Sequence, residues 1–501
     1  MRTNLMDALD DKRLKVIIGL SIIFILLAIG SALTKRPWSD EAWFASPALN
    51  LLTKGSMGTS VLEPLAVKGI NLYTYWIMPL YLVTQAGWYF IFGFGLLQMR
   101  IYSAMWGLVA LISWFLIMKR LAKNETVALL TFALLALDYA FIEGASFGRM
   151  DMMCAALGFA GYAVYLHLRE RNLTLAVLLS QSLVAAAGLT HPIGILEFAG
   201  LLFLTLYFDR TRLKFRLLGV AAIPYLIGAI GWGLYIMKAP ALFIEQFAGN
   251  IRTGHRLTGF AAPWKGFADE ITRRYMVAYG FGGHAAEHSG PIKLKALVLV
   301  AYLIALVGAL CVRDIRQHKG YRALLILITL NFVVLSILDG QKLSYYLVHL
   351  VPLYTAVLAI WIQWCWSRRV VPRPIIALCV CGLLCLQLGG VIYRIRLNTY
   401  AKSFAPAAEF VKTHANEDSL IMGSAELGFE LGFRDNLIDD VRLGFDSGKK
   451  PDIIVVDESY EEAFAGYREF APGLYQHINH LLTEEFHEVY NQASYRVYMH
   501  R

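Results

Sequence analysis

Charge is what this chain has least of. Asp, Glu, Lys and Arg make up 17% of its 501 residues, and hydrophobic residues make up 57%. Soluble domains average about 25% charged and about 45–50% apolar. With a mean hydropathy of +0.52, a soluble enzyme of this size, a disordered scaffold and a fibrous repeat are all excluded. Cysteine is sparse too: Cys154, Cys311, Cys365, Cys379, Cys381 and Cys385. All lie in or beside apolar stretches, and none has metal-site spacing with a histidine. Cys379-x-Cys381-x-x-x-Cys385 has the outline of a zinc cluster, but on a lipid-facing helix it reads as small buried thiols. No disulfide framework is suggested. The formal charge of +9 does not argue for nucleic acid. The basic residues stand between apolar blocks, which marks cytoplasmic loops.

What the chain does have is long apolar runs. About 20 such residues cross a bilayer as a helix. Runs at 16–34, 100–118, 126–142, 152–168, 173–190, 192–208, 217–237, 296–312, 322–338, 344–366 and 374–393 predict eleven spans. The first is no cleaved signal peptide, because no small-residue cleavage pattern precedes Lys35-Arg36-Pro37. Lys12, Arg13 and Lys15 place the N-terminus in the cytoplasm, and with eleven spans every basic cluster between spans falls on that face. Segment 72–94 is apolar enough to cross, but crossing would move Lys119, Arg120 and Lys123 outside. Its Pro79, Gly87, Tyr and Trp predict interfacial or dipping helices instead. The outer loops are then 35–99, 143–151, 190–192, 238–295 and 339–343.

The tail from 394 is more polar and also falls outside. Asp452-Ile-Ile-Val-Val-Asp457 predicts a buried strand. Helical patterns surround it at 404–415, 459–466 and 473–482, and an alternating run over 488–498 predicts an edge strand. The fold class expected is a polytopic α-helical membrane protein of about 11 transmembrane helices over 1–393, with a small soluble α/β domain over 394–501.

The unusual residues gather on the outer face. Ser39-Asp40-Glu41 follows the first span, with two acids that are costly to hold near lipid; the structural alternative is a helix cap. Arg149 and Asp151 stand at the start of the fourth span. Arginine offers a forked set of donors matched to phosphate, or a boundary ion pair. Thr190-His191-Pro192 is an abrupt helix break carrying a titratable ring. Asp339-Gly-Gln-Lys342-Leu-Ser-Tyr345-Tyr346 precedes a span interrupted by Pro352, and Lys342 is a point charge for phosphate or an interfacial anchor. An anchor alone would not need acids, Arg, His and Lys at the outer ends of four spans. The set suits an anionic lipid-linked substrate, with an acid acting as base on an acceptor hydroxyl.

Together with Lys68-Gly-Ile-Asn-Leu-Tyr-Thr-Tyr-Trp, Arg100, Arg149-Met-Asp151, Leu189-Thr-His-Pro and Lys342-Leu-Ser-Tyr-Tyr-Leu-Val-His-Leu-Val-Pro352, the acidic pair resembles the GT-C superfamily of membrane glycosyltransferases. The likeness is to the branch holding the protein O-mannosyltransferases and the lipid A aminoarabinose transferase, over about 15–365. It implies transfer of a sugar from a polyprenyl-phosphate carrier at the periplasmic face, with inversion. By position, Asp40 matches the family's catalytic acid, Glu41 its neighbour, Lys68 a lysine suited to the donor phosphate, and Asp151 and Lys342 further site positions. Lys68-Gly69-Ile70 and Thr190-His191-Pro192 stand where the branch often has Lys-Pro-Pro and Thr-Lys-Gly. Tyr345 and His191 join the substrate-binding set. The loop before the eighth span offers Arg252, His255, Arg256, His284 and His288, of which Arg256 is carried as a substrate contact. Metal use stays open, with Glu63 and His255 as candidate ligands for a divalent ion.

The function expected is therefore a polyprenyl-phosphate-sugar-dependent hexosyl or pentosyl transferase of a bacterial inner membrane. It would act on a lipid, glycan or protein acceptor, with membrane lipids around it and no nucleic acid. The alternatives are a transporter or flippase of a lipid-linked sugar and a silent anchor for the tail. The sequence shows no internal repeat of the kind transporters carry, and Glu197 is the main ionisable residue away from the outer face.

Overall fold

The computed structural model describes residues 11–62, 68–253, 256–281 and 293–501. The candidate metal ligands Glu63 and His255 lie outside the described residues, as do His284 and His288. The chain divides into two compact units. One holds Met1–Ser31, Ser103–Tyr235 and Asn250–Tyr393; the other holds Ala32–Tyr102, Ile236–Gly249 and Arg394–Arg501.

Helices dominate. Among the described residues eight are long and apolar enough to cross a bilayer: Lys12–Thr34, Leu96–Ala122, Met150–Leu168, Leu173–Thr190, Pro192–Arg212, Phe215–Ile236, Lys319–Leu338 and Arg373–His414. A pair bent by 61°, Glu125–Ala136 with Tyr139–Ala145, is long and apolar enough only when its two helices are taken together. The sequence predicts eleven. Of the two that differ, Ala296–Cys311 is an apolar helix of 16 residues, and 344–366 divides into a 3-10 turn, Ser344–His349, and a helix, Val351–Arg368, with Pro352 in its first turn. Segment 72–94 yields a helix of 14 residues, Pro79–Phe92. At 1.5 Å per residue it spans about 21 Å, short of a bilayer core of about 30 Å.

Bare apolar surface shows where lipid lies. Helix Phe215–Ile236 buries Leu217 alone, while Leu226, Ile227, Ile230 and Leu234 are each at least 60% exposed. Water would not tolerate that face; hydrocarbon favours it. Cys379, Cys381 and Cys385 are exposed on helix Arg373–Leu397 rather than buried, because that helix turns few side chains inward. The 61° break between Ala136 and Tyr139 has a cause: buried Asp138 caps the second helix at Phe141 N (2.9 Å) and accepts from Tyr302 (2.5 Å) and Gln387 (2.6 Å), so no polar group at the kink meets lipid.

The basic loops of the first unit meet one another. Arg13 pairs with Glu125, Arg212 donates to the carbonyl of Arg169 (2.9 Å), Arg322 Nε donates to Tyr207 (2.7 Å) and Arg368 pairs with Asp314 (2.6 Å). These are clusters the sequence assigns to one face.

In the second unit, five strands form one sheet: β1 (Ile421–Gly423), β2 (Leu437–Ile438), β3 (Ile453–Val456), β4 (Phe486–Gln492) and β5 (Tyr495–His500), in the order β2-β1-β3-β5-β4. The first three are parallel, and β5 runs antiparallel to its neighbours β3 and β4. The buried strand expected over 452–457 is β3, every residue of which is buried. Helices Glu458–Phe470 and Pro472–His480 cover it through Tyr460, Phe464, Leu474 and Ile478. The run read as one edge strand is the β4–β5 hairpin, turned at Ala493, whose φ is +52°. The outer loop joins this sheet: Leu62 bridges in parallel to Asp439, just beyond β2, and Asp439 N donates to Val61 O at 2.7 Å.

Candidate active site

In the second unit, the chain after the first span turns at Trp38 into helix Ser39–Lys54, with Asp40 and Glu41 in its first turn. Trp38, not Ser39 or Asp40, is the residue flanking the helix start. Its N–H is taken by Glu41 Oε2 at 3.1 Å. Glu41 is fully buried against Arg100, which is also fully buried. Arg100 Nε reaches Glu41 Oε1 at 2.8 Å and Nη2 reaches Oε2 at 2.6 Å. The rest of the guanidinium donates to the carbonyls of Ala32 (2.7 Å), Lys35 (2.7 Å) and Arg36 (3.0 Å). This one cation therefore satisfies carbonyls left open where the first helix ends. Asp40, next to Glu41, is half-buried, and Lys68 is exposed, its carbonyl held by Gln246 Nε2 at 3.1 Å.

In the first unit, five of the expected residues come together. Arg149 flanks the start of helix Met150–Leu168, and its Nε meets Asp151 Oδ2 at 2.8 Å, both nearly buried. Its guanidinium lies 3.8 Å from the ring centre of Tyr345, close enough for cation–π attraction. Tyr345 stands edge-on to Tyr346, ring centres 5.2 Å apart. Tyr346 meets His191 edge-on at 5.4 Å, its hydroxyl 3.5 Å from Nε2, and Arg256 donates to that hydroxyl at 3.3 Å. His191 ends helix Leu173–Thr190 because Pro192 follows; its Nδ1 accepts from Ile193 N at 3.0 Å, which places the ring proton on Nε2. Burial pushes the His191 pKa down to about 3, so the ring is neutral. Arg256 Nε is buried and has no hydrogen-bond partner among the described residues. Within this set, two guanidinium groups, one carboxylate and a neutral imidazole leave one net positive charge, and a third guanidinium, that of Arg274, lies 5.6 Å from the ring centre of Tyr346.

Lys342 is not part of that group. The sequence gives it to a phosphate, but its ammonium donates to the carbonyls of Ser336 (2.8 Å) and Leu335 (3.3 Å) and pairs with Glu270 at 3.2 Å. An ammonium has three protons, and these partners match them. Arg274 extends the network to Glu270 (3.1 Å) and Asp339 (2.5 Å), all four residues buried and their charges balanced. Burial pushes the Glu270 carboxyl up and the Lys342 amine down, each opposed by the other's charge. Lys342 sits at φ +60°, folded back over the carbonyl end of helix Lys319–Leu338. The sequence singled out neither Glu270 nor Arg274, although their i, i+4 spacing is itself a pairing signal.

Glu197 is buried against Gly158, where a Cβ would sit 2.2 Å from its Cγ, and its carboxylate meets His349 Nδ1 at 2.9 Å. The ionisable residue that stood apart from the outer face therefore has a partner. Among the described residues no three His, Cys, Asp or Glu side chains are grouped to hold a metal ion.

Solved structures share this architecture. ArnT from Cupriavidus metallidurans bound to undecaprenyl phosphate aligns over 96% of this chain and 97% of that one, with a TM-score of 0.59 and 16% identity. The oligosaccharyltransferase AglB of Archaeoglobus fulgidus, in complex with an inhibitory peptide and a dolichol-phosphate, aligns over 90% of this chain and 70% of that one, at TM-score 0.50 and 12% identity. The fold is of the GT-C type. Asp40, Glu41 and Lys68 lie in the second unit, and Arg149, Asp151, His191, Arg256, Lys342 and Tyr345 in the first. An uncharacterized protein of Aquifex aeolicus (strain VF5) is 26% identical over 202 residues, 39% of this chain and 38% of that protein, so the likeness spans well under half of that relative. No family model matches the chain.

Proposed function

We propose that this GT-C protein transfers a sugar from a polyprenyl-phosphate carrier to a hydroxyl of a lipid, glycan or protein acceptor, at the periplasmic face of an inner membrane. The observation that carries the reading is the net-positive group of Arg149, Asp151, His191, Tyr345 and Arg256, gathered from the ends of separate helices. An anion is the natural counterpart of two guanidinium groups of which only Arg149 is paired with a carboxylate within the group. One fold neighbour is crystallised with undecaprenyl phosphate, which supports a lipid-linked phosphate as that anion.

In this reading Arg149 and Arg256 bind the carrier phosphate, Asp151 and Tyr345 fix the plane of Arg149, and His191 donates a neutral hydrogen bond. Asp40 accepts the proton of the acceptor hydroxyl as its oxygen attacks the anomeric carbon. The bond from that carbon to the phosphate oxygen breaks, and the lipid phosphate leaves, with inversion. Glu41, bound to Arg100, positions Asp40 rather than reacting. Lys68 is a further candidate for the phosphate. Lys342 stabilises the loop before the Tyr345 turn. Among the described residues no ligand set for a metal ion is grouped. The N-terminus and basic loops lie in the cytoplasm, and residues 394–501 lie in the periplasm. The test is to incubate purified protein with a panel of polyprenyl-phosphate sugars and an acceptor lipid extract. Release of the lipid phosphate is expected with one donor; release with none would remove the reading.

A further inference from the structure

The tail from residue 394 has no part in the chemistry above, yet it grips the segment that carries Asp40 at three points, all within the second unit. On the N-terminal side, Arg36 Nη2 pairs with Glu458 Oε2 at 2.7 Å and its backbone N donates to Thr399 Oγ1 at 3.0 Å. At the helix start, the hydroxyls of Ser39 and Ser424 are 3.0 Å apart and buried. One turn later, Trp43 Nε1 donates to Asp439 Oδ2 at 3.0 Å. Asp40 lies between the second and third contacts.

Asp439 is the residue on which these contacts converge. Its Oδ2 also accepts from Ala425 N at 3.2 Å, beside Ser424, and its Oδ1 accepts from Tyr460 OH at 2.9 Å. Its backbone N holds Val61 O, which fixes the far end of the outer-loop segment to the sheet. One carboxylate thus joins the outer loop, the turn after β1 and the helix after β3. A carboxylate accepts from all these donors at once, whereas an amide would turn an NH2 toward one of them. The surrounding protein also draws the group out of water and pushes its pKa up to about 6.

We propose that the C-terminal α/β segment is a positioning element for the Asp40 turn, and that Asp439 is the positioning residue that holds it, through Trp43. The inference rests on the reading of Asp40 as the base for what the positioning achieves. A base must sit within hydrogen-bond reach of its proton, and a shift of about 1 Å costs roughly 10²-fold in rate. The sheet supplies a rigid frame, since β1 and β3 are wholly buried.

The test uses the full chain in lipid nanodiscs, with Asp439→Asn, Trp43→Phe and, as control, Arg496→Ala, whose partner Glu461 lies on the exposed face of the same segment. Amide hydrogen exchange over 36–50 reads the tether directly. It should rise in the two test variants and stay at the wild-type level in the control. Turnover of the lipid donor should fall at least ~10-fold with KM little changed, and the double variant should be no slower than the slower single one, because both remove one contact. A merely structural role would lower the yield of folded protein and leave its kcat unchanged. Exchange and kcat that match the control in both variants would overturn the proposal. Trp43→Phe keeps the test open where Asp439→Asn does not fold. If the wild type transfers sugar from no donor, the proposed function fails, and a rise in exchange still supports the tether.

Discussion

Arg100 grips Glu41 with two parallel hydrogen bonds, at 2.8 and 2.6 Å, where neither side chain touches solvent. The bond joins the helix that carries Asp40 to the carbonyls of Ala32, Lys35 and Arg36 through one guanidinium. Removing one member of a buried pair leaves the other charge uncompensated and costs about 3–5 kcal/mol. Arg100→Lys keeps the charge but not the fork. It should lower the thermal midpoint of the purified protein, as should Glu41→Gln, and a midpoint equal to wild type in both would show the pair to be dispensable.

Arg149 should tolerate lysine no better. Its contacts with Asp151 and the face of Tyr345 use planarity as well as charge. Arg149→Lys is expected to weaken binding of the lipid donor at least ~10-fold, measured by titration of a polyprenyl phosphate. Lys342→Met should instead act on folding, because its ammonium meets Glu270 and two carbonyls. Donor binding by folded Lys342→Met protein should stay within about threefold of wild type.

Glu426 should make the second unit sensitive to pH. Burial first, then the charge of Asp457, pushes its pKa up to about 8 from 4.5. The folded state holds this proton more tightly than the unfolded chain, so the stabilisation is complete below about 4.5 and is lost as pH rises through 8. Glu426→Gln keeps the shape and an acceptor for Tyr495 without a charge to bury. It should match wild type at pH 5 and exceed it at pH 9 by more than ~1 kcal/mol. An unchanged slope of midpoint against pH would assign the sensitivity elsewhere.

The proposed orientation assigns to the cytoplasm the basic loops that meet in the first unit. In a background without native cysteines, Ser60→Cys and Lys450→Cys should label from outside, and Arg120→Cys should not. Labelling at both 60 and 120 would break the proposed orientation.

Much of this was legible from composition and spacing. Eight long apolar runs became eight long helices, and the turns at Arg149, His191 and Tyr345 were visible because each combines a polar group with a break in an apolar run. The short strands β1 and β2 were not, since two or three residues carry no period. The partners of Glu41 and Lys342 were hidden for another reason. Arg100 lies 59 residues from Glu41 along the chain, and Glu270 opens the helical segment Glu270–Tyr275, remote in sequence from Lys342. A buried ion pair between distant segments leaves no local trace, so a lone acid or lysine at a membrane surface reads as free for substrate. The same limit hid Asp439, whose donors come from three separate stretches.

Asp40→Asn, followed in a single turnover with the lipid donor that wild type accepts, tests the assignment of the base. Asp40 does not flank the helix start, and asparagine is a near-isostere that cannot accept a proton. The variant should express, melt and bind donor like wild type and release lipid phosphate at least ~10²-fold more slowly. Release at the wild-type rate would contradict the assignment and move the search for the base to Asp151.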